Sequence, residues 1–222
     1  MCVCSGLGQP VRYALELAGV EYTDVRVEPG PGAPGTPGYK KMWVDKKAAE
    51  LHDVIDFPNL PYFFDPATGV VLSQSNTILK YVGRKYGLMG PADKAHIVDL
   101  VLDQVADFDG QSTGLSYRDP DALKPYFENQ LPAIFKCWAK LLGENDFFTG
   151  STVTIADLKV YETFRKLKLI GTEVTGIDAV GTFEPKIAAF VKRIEESPMM
   201  VGYKEGGNYI ARPLNNAHAK FK

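Results

Sequence analysis

Residues 57–88, FPNLPYFFDPATGVVLSQSNTILKYVGRKYGL, decide the fold of the first part of this chain. They hold two short apolar runs, 61–64 and 70–73, separated by Asp-Pro-Ala-Thr-Gly, a composition typical of turns that join antiparallel strands. Ser75 and Asn76 follow, where either side chain can cap a helix. The apolar positions of that helix share one face and are Ile78, Leu79, Val82 and Tyr86. The stretch therefore predicts a β-hairpin followed by an amphipathic helix.

The residues before the hairpin alternate between extended and helical patterns. A short strand is predicted over 2–4, and a helix over 8–18, where apolar residues recur at helical spacing. A second strand is predicted over 22–27, whereas the Pro- and Gly-rich residues 29–37 exclude both a helix and a central strand. The order strand, helix, strand, loop, hairpin, helix predicts a small α/β unit.

The chain beyond Pro91 is almost entirely helical in pattern. Thr154 and Asp157 stand three residues apart at the head of one apolar-periodic segment, which resembles a capping box with Asp in place of Glu. A last helix is predicted over 184–196. Two further helical faces are formed by Ile97, Val101, Val105 and Phe108, and by Phe127, Leu131, Ile134, Trp138 and Leu142. These patterns predict a bundle of helices.

Composition excludes several classes of function. The 222 residues carry 25 Lys plus Arg against 27 Asp plus Glu, so nucleic acids and anionic membranes are not expected as partners. With 3 Cys and 3 scattered His, neither a disulfide framework nor a metal site is expected. No apolar run is long enough to cross a bilayer and no leader pattern is present, so we expect a cytoplasmic protein.

A glycine-containing motif, Gly6-Leu7-Gly8-Gln9-Pro10, lies between the first predicted strand and helix, and Glu28 ends the next strand. This is nearly a dinucleotide-binding fingerprint. Val11 replaces the third glycine, however, and no further βαβ units follow to build a doubly wound sheet. A tight strand-to-helix turn is the favoured interpretation.

Two other features indicate a site for a small acidic peptide. Pro61 opens an extended run through either a cis Leu60–Pro61 bond or a simple proline-rich turn, and the cis form leaves neighbouring backbone free to pair with an extended peptide. Residues 73–76 stand at a helix N-terminus, where unpaired amides and the helix dipole favour a carboxylate.

Four segments together resemble the cytosolic glutathione transferases, and most closely the mu class. They are GLGQPVRYALELAGVEYTDVRV, FPNLPYFFD, LSQSNTILKYVGRKYGL and FFTGSTVTIADLKVYE, and they span nearly the whole chain. The resemblance implies an α/β plus all-α fold, with a thioredoxin-like glutathione-binding domain over 1–88. An all-helical domain over 91–222 would supply the electrophile pocket and dimer contacts. It also implies glutathione as cofactor and substrate, and a homodimer.

The resemblance assigns residues to the two ends of glutathione. Trp43 and Lys47 would bind the glycine carboxylate, with Lys40 in place of the family's Arg and without its bidentate fork. Gln74 and Ser75 would bind the γ-glutamyl carboxylate.

The remaining assignments concern the middle of glutathione, the partner subunit and the second substrate. Asn59 and Leu60 would pair with the cysteinyl backbone ahead of Pro61. The family's acid that reaches the γ-glutamyl amine in the partner subunit matches Asp107, with Asp103 and Asp109 as close alternatives. The electrophile pocket would be lined by Leu7 and Tyr117.

One departure from the mu class concerns activation of the glutathione thiol. The family's Tyr aligns with Met1, so either the recorded start is truncated or another group activates the sulfur. Thiols titrate near 8.5 and need a donor that favours the thiolate. Ser5 is the nearest hydroxyl to the first helix and is the predicted catalytic residue, whereas Cys4 is a candidate for redox chemistry.

These residues lead to one principal functional hypothesis and two alternatives. The principal one is a glutathione transferase that joins the glutathione sulfur to electrophilic, largely apolar substrates in detoxification. The alternatives are a non-catalytic, transferase-like binding or structural dimer, and a glutathione-dependent thiol reductase that uses Cys4.

Overall fold

A computed structural model describes residues 4–221 of the chain. Its first part combines helices with a two-stranded antiparallel sheet. Two helical turns flank these elements, a 3₁₀ turn (Gly6–Gly8) and a π-helical turn (Lys47–Leu51). The regular elements are α1 (Gln9–Leu17), α2 (Pro37–Lys46), β1 (Tyr62–Asp65), β2 (Val70–Ser73) and α3 (Ser75–Lys85).

The second part contains helices and short 3₁₀ turns. The turns are Ala92–Lys94 and Pro120–Ala122. The helices are α4 (Ala95–Arg118), α5 (Leu123–Asn129), α6 (Leu131–Leu142), α7 (Ile155–Thr175), α8 (Ala179–Phe183), α9 (Pro185–Glu195) and α10 (Pro198–Glu205). Among residues 4–221, no helix is both long and apolar enough to cross a membrane.

The predicted hairpin and the helix after it are confirmed. In the antiparallel pair β1–β2, Tyr62 lies opposite Ser73 and Asp65 opposite Val70. The expectation that Ser75 or Asn76 caps α3 is wrong, because Ser75 is already the first helical residue. Gln74 occupies the N-cap instead and makes no capping hydrogen bond through its side chain.

Four predictions of secondary structure need correction. The strand over 22–27 is absent from the described part of the chain, where Val27 alone forms a bridge, because alternation of side chains does not by itself supply a hydrogen-bonding neighbour. The strand predicted over 2–4 is not one of the four, because it lies largely outside the described residues. Helix α2 was not predicted, since its sequence has no apolar stripe.

The other two corrections concern the helical part. The face predicted to run from Phe127 to Leu142 belongs to two helices that meet at Gln130, because Pro132, in the first turn of α6, has no amide hydrogen to continue the ladder of α5. The helix predicted over 184–196 is present as α9 but is not the last, because α10 begins after the Ser197 cap.

Helix α7 is the central element of the core. It is buried along most of its length and packs against α1, α4, α5 and α8. The predicted capping box at its start is confirmed. The buried Asp157 carboxylate accepts hydrogen bonds from the Thr154 amide at 2.7 Å, the Thr154 hydroxyl at 2.7 Å and the Phe148 amide at 2.8 Å. One side chain therefore fixes both the helix start and the loop before it.

A buried polar cluster joins α1 to α7. The Tyr13 hydroxyl donates to Glu162 Oε2 at 2.8 Å, and Arg165 donates to both Glu162 oxygens at 2.9 and 2.8 Å. Burial, with the Glu162 charge as a second cause, raises the pKa of Tyr13. Arg165 also donates to the Ala211 carbonyl at 3.1 Å. The cluster thus connects both parts of the fold and the C-terminal segment.

Replacement of Asp157 by Ala tests the capping box. We expect Asp157→Ala to lower the free energy of unfolding by roughly 2–4 kcal/mol, because three buried donors lose their acceptor. Chemical denaturation at a fixed protein concentration measures the loss. The exposed Asp121 provides a control, and Asp121→Ala is expected to cost less than about 0.5 kcal/mol. Equal losses in the two variants would contradict this account.

Candidate functional site

A cavity of about 670 Å³ lies between the two parts of the fold. Its volume falls in the range of roughly 300–1,000 Å³ typical of small-molecule sites. Five regions contribute to it: residues 4–8, residues 59–61, the start of α3, the facing sides of α4 and α7, and residues 214–216.

Most of the residues proposed for the site line this cavity. The structure brings together Ser5, Leu7, Asn59, Leu60, Pro61, Gln74, Ser75 and Tyr117. The residues that do not line it are Trp43, Lys47 and Asp107. The roles of all these residues stay predictions.

The start of α3 offers a strained backbone and unpaired amides to the cavity. Gln74 has φ 68° and ψ 109°, a left-handed conformation that L-residues adopt at a cost. Ser75 comes next, and the first amides of an α-helix have no partner within the helix. These amides and the positive end of the helix dipole favour an anion here.

Residues 59–61 form a second part of the same wall. The Leu60–Pro61 bond is cis, which is one of the two conformations that the sequence allows. The Leu60 amide donates to the Asn59 side-chain oxygen at 2.9 Å. A ligand backbone that pairs with Leu60 would therefore replace the Asn59 oxygen as the acceptor.

Ser5 lies directly before the first helical turn. Its amide donates to the Pro213 carbonyl at 3.0 Å, and its carbonyl accepts from the Gln9 amide at 3.1 Å. The side chain is 1 % exposed, and its hydroxyl has no hydrogen-bond partner among residues 4–221. Because the 3₁₀ turn Gly6–Gly8 extends α1 backwards, Ser5 is closer to the helix start than the sequence indicates.

The cavity also contains the candidate redox residue, Cys4, and the two residues predicted to contact the electrophile, Tyr117 and Leu7. Cys4 is buried and lines the cavity beside Ser5. The Tyr117 hydroxyl accepts a hydrogen bond from the Asn216 amide at 3.2 Å, so the C-terminal segment holds it in place. Leu7 is 49 % exposed at the cavity mouth. The positions of Met1 and Cys2, on which the question of thiol activation partly depends, lie outside the described residues.

The two residues proposed for the glycine carboxylate lie close together, Trp43 on α2 and Lys47 at the start of the π-helical turn that follows it. The Lys47 ammonium is 5.6 Å from the ring centroid of Trp43, within the range of a cation–π contact. Lys40, on the same helix, is exposed. A separate cavity of about 440 Å³ is lined by residues of α2 and by residues 25–28, and contains none of the candidate residues.

The three candidate acids differ in position. Asp103 and Asp107 are exposed on α4 outside the cavity, whereas Asp109 is buried and lines it. An exposed Asp107 is compatible with a contact to a partner subunit.

A buried charged wall was not predicted from the sequence. It consists of Asp109, Lys159 and Lys166, and all three side chains line the cavity. Burial acts to raise the pKa of Asp109. The positive charges of Lys166 and Lys159 lower this pKa by more than burial raises it, so the net shift is downward. The signal in the sequence is that Lys159 and Lys166 are seven residues apart, about two turns along one face of an otherwise buried helix.

Comparisons with known proteins identify both parts of the fold. Residues 6–84 match the family model for the glutathione S-transferase N-terminal domain, and residues 93–206 match that for the C-terminal domain. The chain is 36% identical over 201 residues to a glutathione S-transferase of Tyrophagus putrescentiae, covering 89% of this chain and 84% of that protein.

Two further similarities concern the class and the fold. Human glutathione S-transferase Mu 3 is 30% identical over 219 residues, which cover 97% of this chain and 91% of that protein. A solved pi-class glutathione S-transferase of Onchocerca volvulus superposes with a TM-score of 0.80 at 21% identity, over 99% and 97% of the two chains. The predicted architecture, a thioredoxin-like domain followed by an all-helical one, is confirmed.

The strain at Gln74 can be tested by two substitutions that both remove the side chain. We expect Gln74→Gly to be about 1 kcal/mol more stable to unfolding than Gln74→Ala, because glycine adopts a positive φ without a Cβ clash. Chemical denaturation of the two variants measures the difference. An alanine variant as stable as the glycine variant would show that this backbone is not strained.

Proposed function

The chain belongs to the glutathione S-transferase family and conjugates glutathione, and we propose that the reaction takes place in the cavity between α3, α4 and α7. The observation that carries this location is the meeting of three regions on one cavity: the start of α3, residues 59–61 and Ser5. A small acidic peptide needs an anion site, a backbone partner and a donor near its thiol.

Glutathione is a substrate in this reaction, and its placement follows from the chemistry of the residues around α3 and Leu60. The γ-glutamyl carboxylate binds at Gln74 and Ser75, where amides at the helix start point toward an anion. The cysteinyl backbone pairs at Asn59 and Leu60, next to Pro61. Trp43 and Lys47 bind the glycine carboxylate, and Lys47 carries the positive charge that this end requires.

Ser5 is proposed to stabilise the thiolate. Its buried hydroxyl has no partner among the described residues, so it is available to donate to a sulfur. The helical turn that starts after Ser5 adds the positive end of a peptide dipole to the same place. A fixed donor in a water-poor site stabilises negative charge more than water does, which shifts the thiol toward its reactive form.

The second substrate is an electrophile that enters beside Leu7 and Tyr117. The thiolate sulfur forms a new bond to the electrophilic carbon, and the leaving group departs with its electron pair. The thiol proton leaves to solvent. Holding both reactants in one cavity removes much of the entropic barrier to their encounter.

The domain and assembly assignments complete the proposal. The glutathione-binding domain comprises residues 1–88 and the helical domain 91–222, and the protein acts in the cytoplasm. Two copies form a two-fold dimer in which Asp107 reaches the γ-glutamyl amine bound by the partner subunit. The two other functions considered from the sequence, a non-catalytic dimer and a Cys4-dependent reductase, are not favoured by the family relationship.

Substitution of Ser5 tests the reaction and its activating group. With a chlorinated nitroaromatic acceptor, we expect Ser5→Ala to lower kcat/KM by roughly 100-fold, because one donor to the developing charge is lost. The Kd of glutathione is expected to change little. Steady-state kinetics and the ultraviolet absorbance of bound thiolate are the measurements.

A parallel Cys4→Ala variant separates the alternatives. Retained conjugation in Cys4→Ala together with loss in Ser5→Ala supports the proposal. Loss of a disulfide-reducing activity in Cys4→Ala would favour the reductase. Binding of glutathione by the unmodified chain without any turnover would favour the non-catalytic dimer.

The proposed dimer can be tested at an exposed aromatic residue. Phe57 is 77 % exposed, more than any other large apolar side chain in the described part of the chain, and aromatic residues are enriched at interface hot spots. We expect Phe57→Ser to weaken dimerisation by roughly 30- to 1,000-fold, the range of an interface hot spot. Sedimentation measures the association, and Val201→Ser, an exposed apolar position on α10, is the control. Equal dimerisation of both variants would exclude Phe57 from the interface.

A further inference from the structure

The charged wall carries an inference about the second substrate. Lys159 is 4 % exposed, and Lys166 and Asp109 are each 7 % exposed. The two lysines project from the same face of α7 toward α4, which supplies Asp109. Charged side chains this deeply buried in a protein are normally paired.

The charges of this wall do not balance. The Lys166 ammonium donates to the Asp109 carboxylate, which uses the only acid of the wall. Glu162, one turn along α7, is already bound by Tyr13 and Arg165. Among residues 4–221, the Lys159 ammonium has neither a hydrogen bond nor an ion pair. The Lys159 ammonium thus lines the cavity without a hydrogen-bonded or ion-paired partner among the described residues.

An unpaired ammonium in this position is unfavourable without a ligand. Burial lowers the pKa of Lys159, and the Asp109 charge only partly opposes that shift. An apolar side chain would fill the same space in the helix packing at no such cost. An anion that enters the cavity would supply the missing partner and favour the charged form of the amine.

The position of the wall assigns the anion to the second substrate. Ala106, Gly110, Thr113 and Tyr117 follow one face of α4 at spacings of three and four residues and line the cavity beside the wall. Three of these side chains are small, so they leave room for an acceptor to reach the lysines. The carboxylates of glutathione are assigned elsewhere, to the start of α3 and to α2.

We propose that Lys159 binds an anionic group, specifically a carboxylate, on the electrophilic second substrate. The preferred acceptor therefore has an apolar body with an acidic group. This inference rests on the proposed function, because it takes glutathione to occupy the α3 side of the cavity. Lys159 acts as a specificity residue, and the conjugation step itself is unchanged.

A matched pair of acceptors tests the proposal. One is a chloro-dinitrobenzoate and the other is its uncharged amide. In both, the glutathione sulfur bonds to the carbon that bears chlorine, and the carbon–chlorine bond breaks to release chloride. We expect Lys159→Met to lower kcat/KM for the benzoate by about 10- to 100-fold relative to the amide, mainly through KM. The KM for glutathione is expected to stay within about 2-fold of the unmodified value, since Lys159 does not contact glutathione in this proposal.

Two variants control for charge and for folding. Lys136→Met removes a positive charge from the exposed side of α6, and its ratio of benzoate to amide activity is expected to match that of the unmodified chain. Lys159→Gln keeps a polar side chain without charge and is expected to lose the same preference as Lys159→Met. A preference that persists in both Lys159 variants would overturn the proposal.

Two other results have distinct meanings. A rise in the KM for glutathione with equal losses for both acceptors would assign Lys159 to glutathione and overturn the proposal. Absence of turnover in the unmodified chain would contradict the proposed function, and calorimetric binding of the benzoate would then decide the inference alone. Weaker binding of the benzoate by Lys159→Met than by the unmodified chain supports it, and equal binding overturns it.

Discussion

The packing of α1 and the C-terminal segment against α7 depends on the buried carboxylate of Glu162. This group accepts three hydrogen bonds, one from Tyr13 on α1 and two from Arg165 on α7. Loss of one partner from a buried ion pair leaves an uncompensated charge and costs about 3–5 kcal/mol. Because Arg165 also donates to the Ala211 carbonyl, one carboxylate connects α1, α7 and the C-terminal segment.

The same helix contains both a satisfied and an unsatisfied buried charge. Glu162 has all its neighbours within the protein, whereas Lys159, less than one turn earlier, faces the cavity with no hydrogen-bonding or ionic partner among the described residues. A charge whose partners are internal stabilises one arrangement of helices. A charge that lacks internal partners raises the free energy of the unliganded protein. Binding of an anion to that charge lowers the free energy again. Helix α7 therefore contributes to the fold through Glu162 and, in this proposal, to substrate selection through Lys159.

Those elements of the fold that depend on local chemistry could be predicted from the sequence. The β1–β2 hairpin follows from its turn residues, and the start of α7 from the spacing of Thr154 and Asp157. Predictions failed where a neighbour decides the outcome. Residues 22–27 have the alternation of a strand without a ladder among the described residues, and α2 forms without an apolar stripe. In both cases tertiary context outweighs the local pattern.

The residues of the candidate site also fall into two groups, those that a local motif indicates and those that only the folded structure brings together. The residues predicted to bind glutathione lie in contiguous motifs, so Leu60, Gln74 and Ser75 could be proposed from the sequence, and all three line the cavity. The charged wall joins α4 to α7 across more than fifty positions, and the seven-residue spacing of Lys159 and Lys166 does not reveal that Asp109 lies opposite them. Its importance arises only when burial removes water and the one nearby acid is taken by Lys166. Substrate preference at this cavity is thus a property of the packing of α4 against α7 rather than of any motif.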